Sequence, residues 1–131
     1  MKHFITLILI IFFAGCAGSP MAISMKSPEQ LKEVPDEQLC DAYASCKVEK
    51  IRSELLSRNL FTDKEWQAIE NSDIFVGMSK KALFAARPNL YLNGVSDISK
   101  HGMCEVYSEF ATTARIYIYV RDEKVAGYQI F

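Results

Sequence analysis

Cys104-Glu105-Val106-Tyr107-Ser108-Glu109-Phe110 and, shortly after it, Arg115-Ile116-Tyr117-Ile118-Tyr119-Val120-Arg121 decide how this chain folds. Both stretches alternate. Cys104, Val106, Ser108 and Phe110 fall on one side, with Glu105, Tyr107 and Glu109 on the other. Ile116, Ile118 and Val120 alternate in the same way with Arg115, Tyr117, Tyr119 and Arg121. A period of two with one apolar side marks a half-buried strand, because successive side chains leave opposite faces. A hairpin must keep the two apolar sides together, since a one-residue slip turns every side chain over. Pairing Phe110 with Ile116 around residues 111–115 does this. Glu109 then opposes Tyr117, Tyr107 opposes Tyr119, and Glu105 opposes Arg121 as a pair of opposite charge. In that register Tyr107, Tyr117 and Tyr119 share the polar face with Arg121 at its margin. Aromatics and Arg are enriched where proteins bind proteins, so these four residues form a candidate binding face. A third strand over 125–130 returns after Asp122-Glu123. A two-residue loop and a three-residue loop bury opposite sets, and the longer one, burying Ala126, Tyr128 and Ile130, gives the more apolar side.

Upstream the period lengthens. Pro35-Asp36-Glu37-Gln38 suits a helix start, with Leu39, Ala42, Tyr43 and Cys46 following at helical spacing. Val48, Ile51 and Leu55 give a second apolar stripe that ends near Asn59. Thr62-Asp63-Lys64-Glu65 is a capping box opening a helix through Trp66 and Ile69. Ser79 caps a further helix through Leu83 and Phe84, which Pro88 stops. The expectation is an α+β domain: N-terminal helices on one face of a three-stranded antiparallel meander. Residues 35–73 form a helical module that packs with residues 74–131 as one domain.

The chain has 131 residues, half of them apolar and 24% charged, with a net charge of −1. That suits one domain with a modest core and argues against a nucleic-acid binder, which needs a basic face. The N-terminus is different in kind. Lys2 precedes an apolar run over residues 4–15 broken only by Thr6, and small residues lead to Cys16. This is the make-up of a secretory signal peptide over residues 1–15; the run is too short for the ~20 residues of a membrane-spanning helix. Phe13-Ala14-Gly15-Cys16 resembles the lipobox of bacterial lipoproteins, with Phe13 where Leu is usual. The resemblance implies cleavage before Cys16 and acylation of its thiol and new amino group, and two or more acyl chains hold a protein stably on a bilayer. Ala17 stands where Asp would retain the protein at the inner membrane, which implies the periplasmic leaflet of the outer membrane. Residues 16–34, with Gly18, Ser19, Pro20, Ser24, Ser27 and Pro28, read as a lipid-anchored tether, although Ser27-Pro28-Glu29-Gln30 can open a short helix.

Ile74-Phe75-Val76-Gly77-Met78-Ser79, a short helix, a proline, and strands ending in Tyr117-Ile118-Tyr119-Val120-Arg121-Asp122-Glu123-Lys124-Val125 resemble the BamE-type (SmpA/OmlA) lipoproteins. Gly77 and Ser79 match the family pattern; Arg87-Pro88 stands where the family has Gly-x-Pro. The resemblance covers residues 74–130. It implies two helices, a three-stranded antiparallel sheet and an accessory role at the outer membrane.

Residues for catalysis are sparse. His101 is the one histidine outside the leader, and with Cys104 it supplies two metal ligands, short of a tetrahedral site. No metal and no cofactor is expected. Cys40, Cys46 and Cys104 lie in a compartment that favours disulfides, and three thiols allow one bridge. Cys40 and Cys46 can join only if the helix ends between them; either can reach Cys104 across the domain. The expected function is a non-enzymatic lipoprotein, attached to membrane lipid through Cys16, that binds another envelope protein in outer-membrane assembly or maintenance. The alternative is a periplasmic thiol redox protein or an enzyme inhibitor.

Overall fold

The computed structural model describes residues 18–110 and 113–131. The expected leader and Cys16 lie outside the described residues. Six described helices precede a four-stranded antiparallel sheet: α1 Pro20–Ser24, α2 Pro28–Leu31, α3 Asp36–Cys46, α4 Glu49–Ser57, α5 Asp63–Asn71 and α6 Lys80–Ala86, then β1 Tyr91–Ile98, β2 Gly102–Phe110, β3 Arg115–Arg121 and β4 Lys124–Ile130. The strands follow one another in space in chain order. The α+β expectation holds, but the meander has four strands where three were expected.

Four of the six described helices begin at a side-chain cap. Ser19 caps α1, Ser27 and Gln30 form a capping box on α2, Thr62 and Glu65 form one on α5, and Ser79 caps α6. These side chains satisfy amide groups that the first helical turn leaves without carbonyl partners. Lys47 and Ser72 close α3 and α5 in the left-handed conformation. Arg87, next to Pro88, is extended and ends α6.

Residues 18–34, expected as a tether, are folded. Ile23 and Leu31 are fully buried and Val34 nearly so. Their burial, with α1 packed on α3 and α2 on α4, outweighs the loop-like composition around them. Arg58 fixes this segment: its guanidinium donates to the carbonyls of Leu31 and Val34 at 2.9 and 2.8 Å and pairs with Asp36 and Glu54 at 2.8 and 3.0 Å. One apolar core runs from Ile23, Leu39, Ile51, Leu55 and Ile69 through Leu83 to Tyr107, Ile118 and Val125 of the sheet.

The β2–β3 register differs by one residue from the expected one. Phe110 pairs with Arg115, Tyr107 with Ile118 and Glu105 with Val120. The loop therefore holds residues 111–114. Glu105, Tyr107 and Glu109 consequently share the inner, helix-facing side with Ile116, Ile118 and Val120. The cause lies on α6. Lys80, Phe84 and Arg87 follow one helical stripe and meet Glu105, Tyr107 and Glu109 in turn. Lys80 Nζ lies 3.0 Å from Glu105, the Phe84 and Tyr107 rings meet edge to face at 5.5 Å, and Arg87 lies 3.1 Å from Glu109. The glutamates turn inward because cations wait for them there.

Asp122 and Glu123 make a two-residue turn into β4, both with positive φ (51° and 62°). This turn matches the twist of the strands it joins. A register shift follows, with Tyr119 opposite Gly127 and Val120 opposite Val125, leaving Ala126 in a bulge. Val125 is therefore the side chain of β4 buried against the core, and Gly127 is buried on the opposite face. Tyr128 and Ile130, expected inside, are exposed beyond the reach of the helices. Gly77 and Met78 pair with Val125 through backbone bonds of 2.8 Å each, so the segment before α6 lies along the first part of β4.

Candidate functional site

The outer face of the sheet carries the side chains that the register turns away from the helices. From β2 these are Cys104, Val106, Ser108 and Phe110; from β3, Arg115, Tyr117, Tyr119 and Arg121; from β4, Gly127 and Gln129. Three of the four residues expected on one binding face are here: Tyr117, Tyr119 and Arg121. Tyr107 is not. It is buried on the inner face, where its hydroxyl donates to Glu105 at 2.5 Å. Glu105 in turn meets Lys80 rather than Arg121.

One end of this face is aromatic and exposed. Phe110 is 60% and Phe131 71% exposed. The Arg115 guanidinium lies 4.6 Å from the Phe110 ring centroid, and its Nη1 donates to the Tyr117 hydroxyl at 3.3 Å. The Tyr117 ring meets Phe131 edge to face at 5.8 Å. Backbone bonds between Arg115 and Phe131, 2.8 and 3.0 Å long, carry the ladder to the end of the chain. Phe110 was expected inside and is outside because of the register. Its signal lay in Phe131 and Arg115, the neighbours that complete a surface cluster.

The other end is a groove. The β1–β2 hairpin curls over the sheet so that its tip reaches β4. His101 stacks on Tyr119 at 6.0 Å and rests on Gly127, where an added Cβ would stand 2.6 Å from the imidazole Nε2. Arg121 Nη1 donates to the His101 carbonyl at 3.0 Å, and the Tyr119 hydroxyl donates to Gln129 at 3.0 Å. Between the tip and β4 lies a space of about 580 Å³ lined by Ile98, Lys100, His101, Tyr119, Tyr128 and Gln129. In the hollow of the curl Cys104 and Ser108 are buried. The Cys104 thiol meets the carbonyl of His101, not its ring, so the two do not form a nucleophile–base pair.

Among the described residues the thiols of Cys40, Cys46 and Cys104 are free. Cys40 sits in the middle and Cys46 at the end of α3, a helix unbroken between them, so the break their bridge requires is absent. Cys40 lies in the helical core and Cys104 on the outer side of the sheet. Burial pushes the Cys40 thiol up to about 12, which keeps it protonated and unreactive at neutral pH. Among the described residues no cluster of His, Cys, Asp and Glu could hold a metal ion, and no helix is long and apolar enough to cross a membrane.

The face combines flat aromatic rings and two guanidinium groups, Arg115 and Arg121, on a sheet packed against helices from behind. No known protein family, curated protein or solved structure matches the chain.

Proposed function

We propose that this chain is a non-enzymatic lipoprotein that binds another envelope protein through the outer face of its sheet, in outer-membrane assembly or maintenance. The observation that carries the reading is the exposed cluster of Phe110, Arg115, Tyr117 and Phe131 on a sheet packed against helices on its other side. Aromatic side chains give large contact area for little lost rotamer freedom, and together with Arg they anchor protein interfaces. The lipobox at Cys16 supports the membrane anchor and the periplasmic side of the outer membrane. The BamE-type resemblance of residues 74–130 supports the role, at the level of an accessory subunit. The matching partner surface offers apolar side chains with carboxylates for Arg115 and Arg121.

The test is photo-crosslinking in cells that acylate the chain. A photoreactive residue at Tyr117 should give one discrete adduct, and the same residue at Lys50, on α4, should not. Arg115→Glu with Phe131→Glu should lower the adduct yield roughly tenfold, the effect of about 1.4 kcal/mol at an interface. Equal adducts from both positions, or none from Tyr117, overturn the reading.

A further inference from the structure

We propose that α1 lies on the bilayer itself, with Met21 and Met25 in the headgroup boundary, so that the domain is held against the membrane at a fixed orientation. The inference rests on the reading that Cys16 is acylated. It goes beyond that reading because an acylated tether would leave the domain free to swing.

One residue, Ala17, separates Cys16 from Gly18, where the described fold begins. Gly18 already lies beside Gln38 of α3, and the Ser19 side chain accepts the Ala22 amide at 3.2 Å. Ile23 is fully buried, and α2 and Arg58 hold the following turn. There is no slack. The link from an acylated Cys16 to Gly18 spans at most about 7 Å of extended chain. Acyl chains in a bilayer therefore bring α1 to the headgroups.

The outward side of α1 is apolar. Met21 and Met25 are 73% and 79% exposed, the most exposed large apolar residues described. They stand four apart, one above the other on a helix, and opposite buried Ile23. Unbranched, flexible methionines adapt to an irregular boundary. Lys26 and Lys32 follow and can meet lipid phosphates, while Glu29 marks where the polar rim begins. A short apolar stripe beside a lipid anchor adds a second point of contact, and two points of contact fix an orientation where one does not. The occupant proposed for this stripe is the lipid surface, because the short link from Cys16 keeps the stripe within reach of the headgroups.

The experiment uses the full acylated chain in vesicles of phosphatidylethanolamine and phosphatidylglycerol carrying brominated acyl chains. Met21→Trp and Met25→Trp are compared with Met103→Trp, an exposed site on β2, after subtracting the signal of the parent with Trp66. Both α1 probes should be quenched at least roughly twofold more than the β2 probe, as interfacial burial demands. Fatty-acid labelling of Cys16 is read on the same samples. A labelled, vesicle-bound protein whose α1 probes are quenched no more than the β2 probe overturns this inference and leaves the functional reading intact. Emission from the α1 probes that depends on protein concentration and not on lipid assigns the stripe to a second copy and also overturns it. Absence of acyl label overturns both.

Discussion

Glu105 shows why single residues were hard to place. Its alternation with Val106 reads as solvent exposure, since an isolated buried carboxylate is costly. The cost vanishes when Lys80 stands 3.0 Å away and the Tyr107 hydroxyl donates as well. The signal was present in the sequence as two matching ladders, Lys80-Phe84-Arg87 at helical spacing and Glu105-Tyr107-Glu109 at strand spacing. Reading either alone misses it. The Tyr107 hydrogen bond and then Lys80 hold the Glu105 carboxyl below its ordinary value of 4.5. Lys81 and then Arg58 do the same for Asp36, and Arg52 with Tyr43 for Glu70. A lowered folded pKa gives stability that is full above the unfolded value and is lost as the pH falls through the folded one. The domain should therefore weaken as pH drops below about 4.5, the ordinary carboxyl range. Glu105→Gln should cost about 1 kcal/mol at pH 7 and less at pH 3, because the native carboxyl gives up its charge as the pH falls through its lowered pKa. Urea midpoints at the two pH values check this; an equal cost at both would show that the charge does not matter.

Elements were more legible than pairings. The helix starts at Asp36, Asp63 and Lys80 follow from capping and patterning in the sequence. β1 was missed because Tyr91–Ile98 contains Asn93, Gly94, Ser96 and Asp97, and its side chains are mostly exposed on both faces. An edge strand that buries little has no period to read. The slip in the β2–β3 register came from loop length, which patterning leaves open by one residue. At this scale Glu65 joins two elements. It is buried, accepts the Thr62 amide at 3.0 Å as part of the capping box of α5, and accepts the Ser79 amide at 2.7 Å at the start of α6. Thr62→Ala removes one cap and should cost about 1 kcal/mol. Glu65→Ala leaves two amides without acceptors and should cost about 2–3 kcal/mol. Thermal unfolding of the two variants ranks them; equal losses would show that Glu65 serves α5 alone.

At the scale of the molecule, the helices and the inner side of the sheet make one core, and the N-terminal segment is its outermost layer. Composition hid this layer, because three serines and two prolines between 19 and 28 look like a linker while each serves a helix start or turn. Arg58 is the point on which the layer depends. Arg58→Met should cost about 3 kcal/mol, as expected when a mostly buried cation leaves its carboxylates and carbonyls behind. Hydrogen exchange should quicken at residues 27–36 first and leave β2 and β3 protected. Uniform acceleration across the chain would show that the layer has no independence. The candidate face is half legible for the same reason as the fold: Tyr117, Tyr119 and Arg121 follow from alternation, whereas Phe110 and His101 depend on how far the hairpin bends.

The turn at Asp122–Glu123 has a consequence for how these parts come together. Two successive residues with side chains sit in the left-handed region, each at a cost of about 1 kcal/mol that glycine would not incur. The Lys80 amide donates to the Glu123 carbonyl at 2.8 Å, and Val125 donates to Met78. The tension in the turn is thus balanced by the very contacts that seat α6 on the sheet. Lift the helix and the bend has reason to spring open; open the bend and the helix loses its seat. Closure of the last hairpin and seating of α6 should therefore be coupled, and hydrogen exchange at Lys80 and Val125 should quicken together when either is weakened.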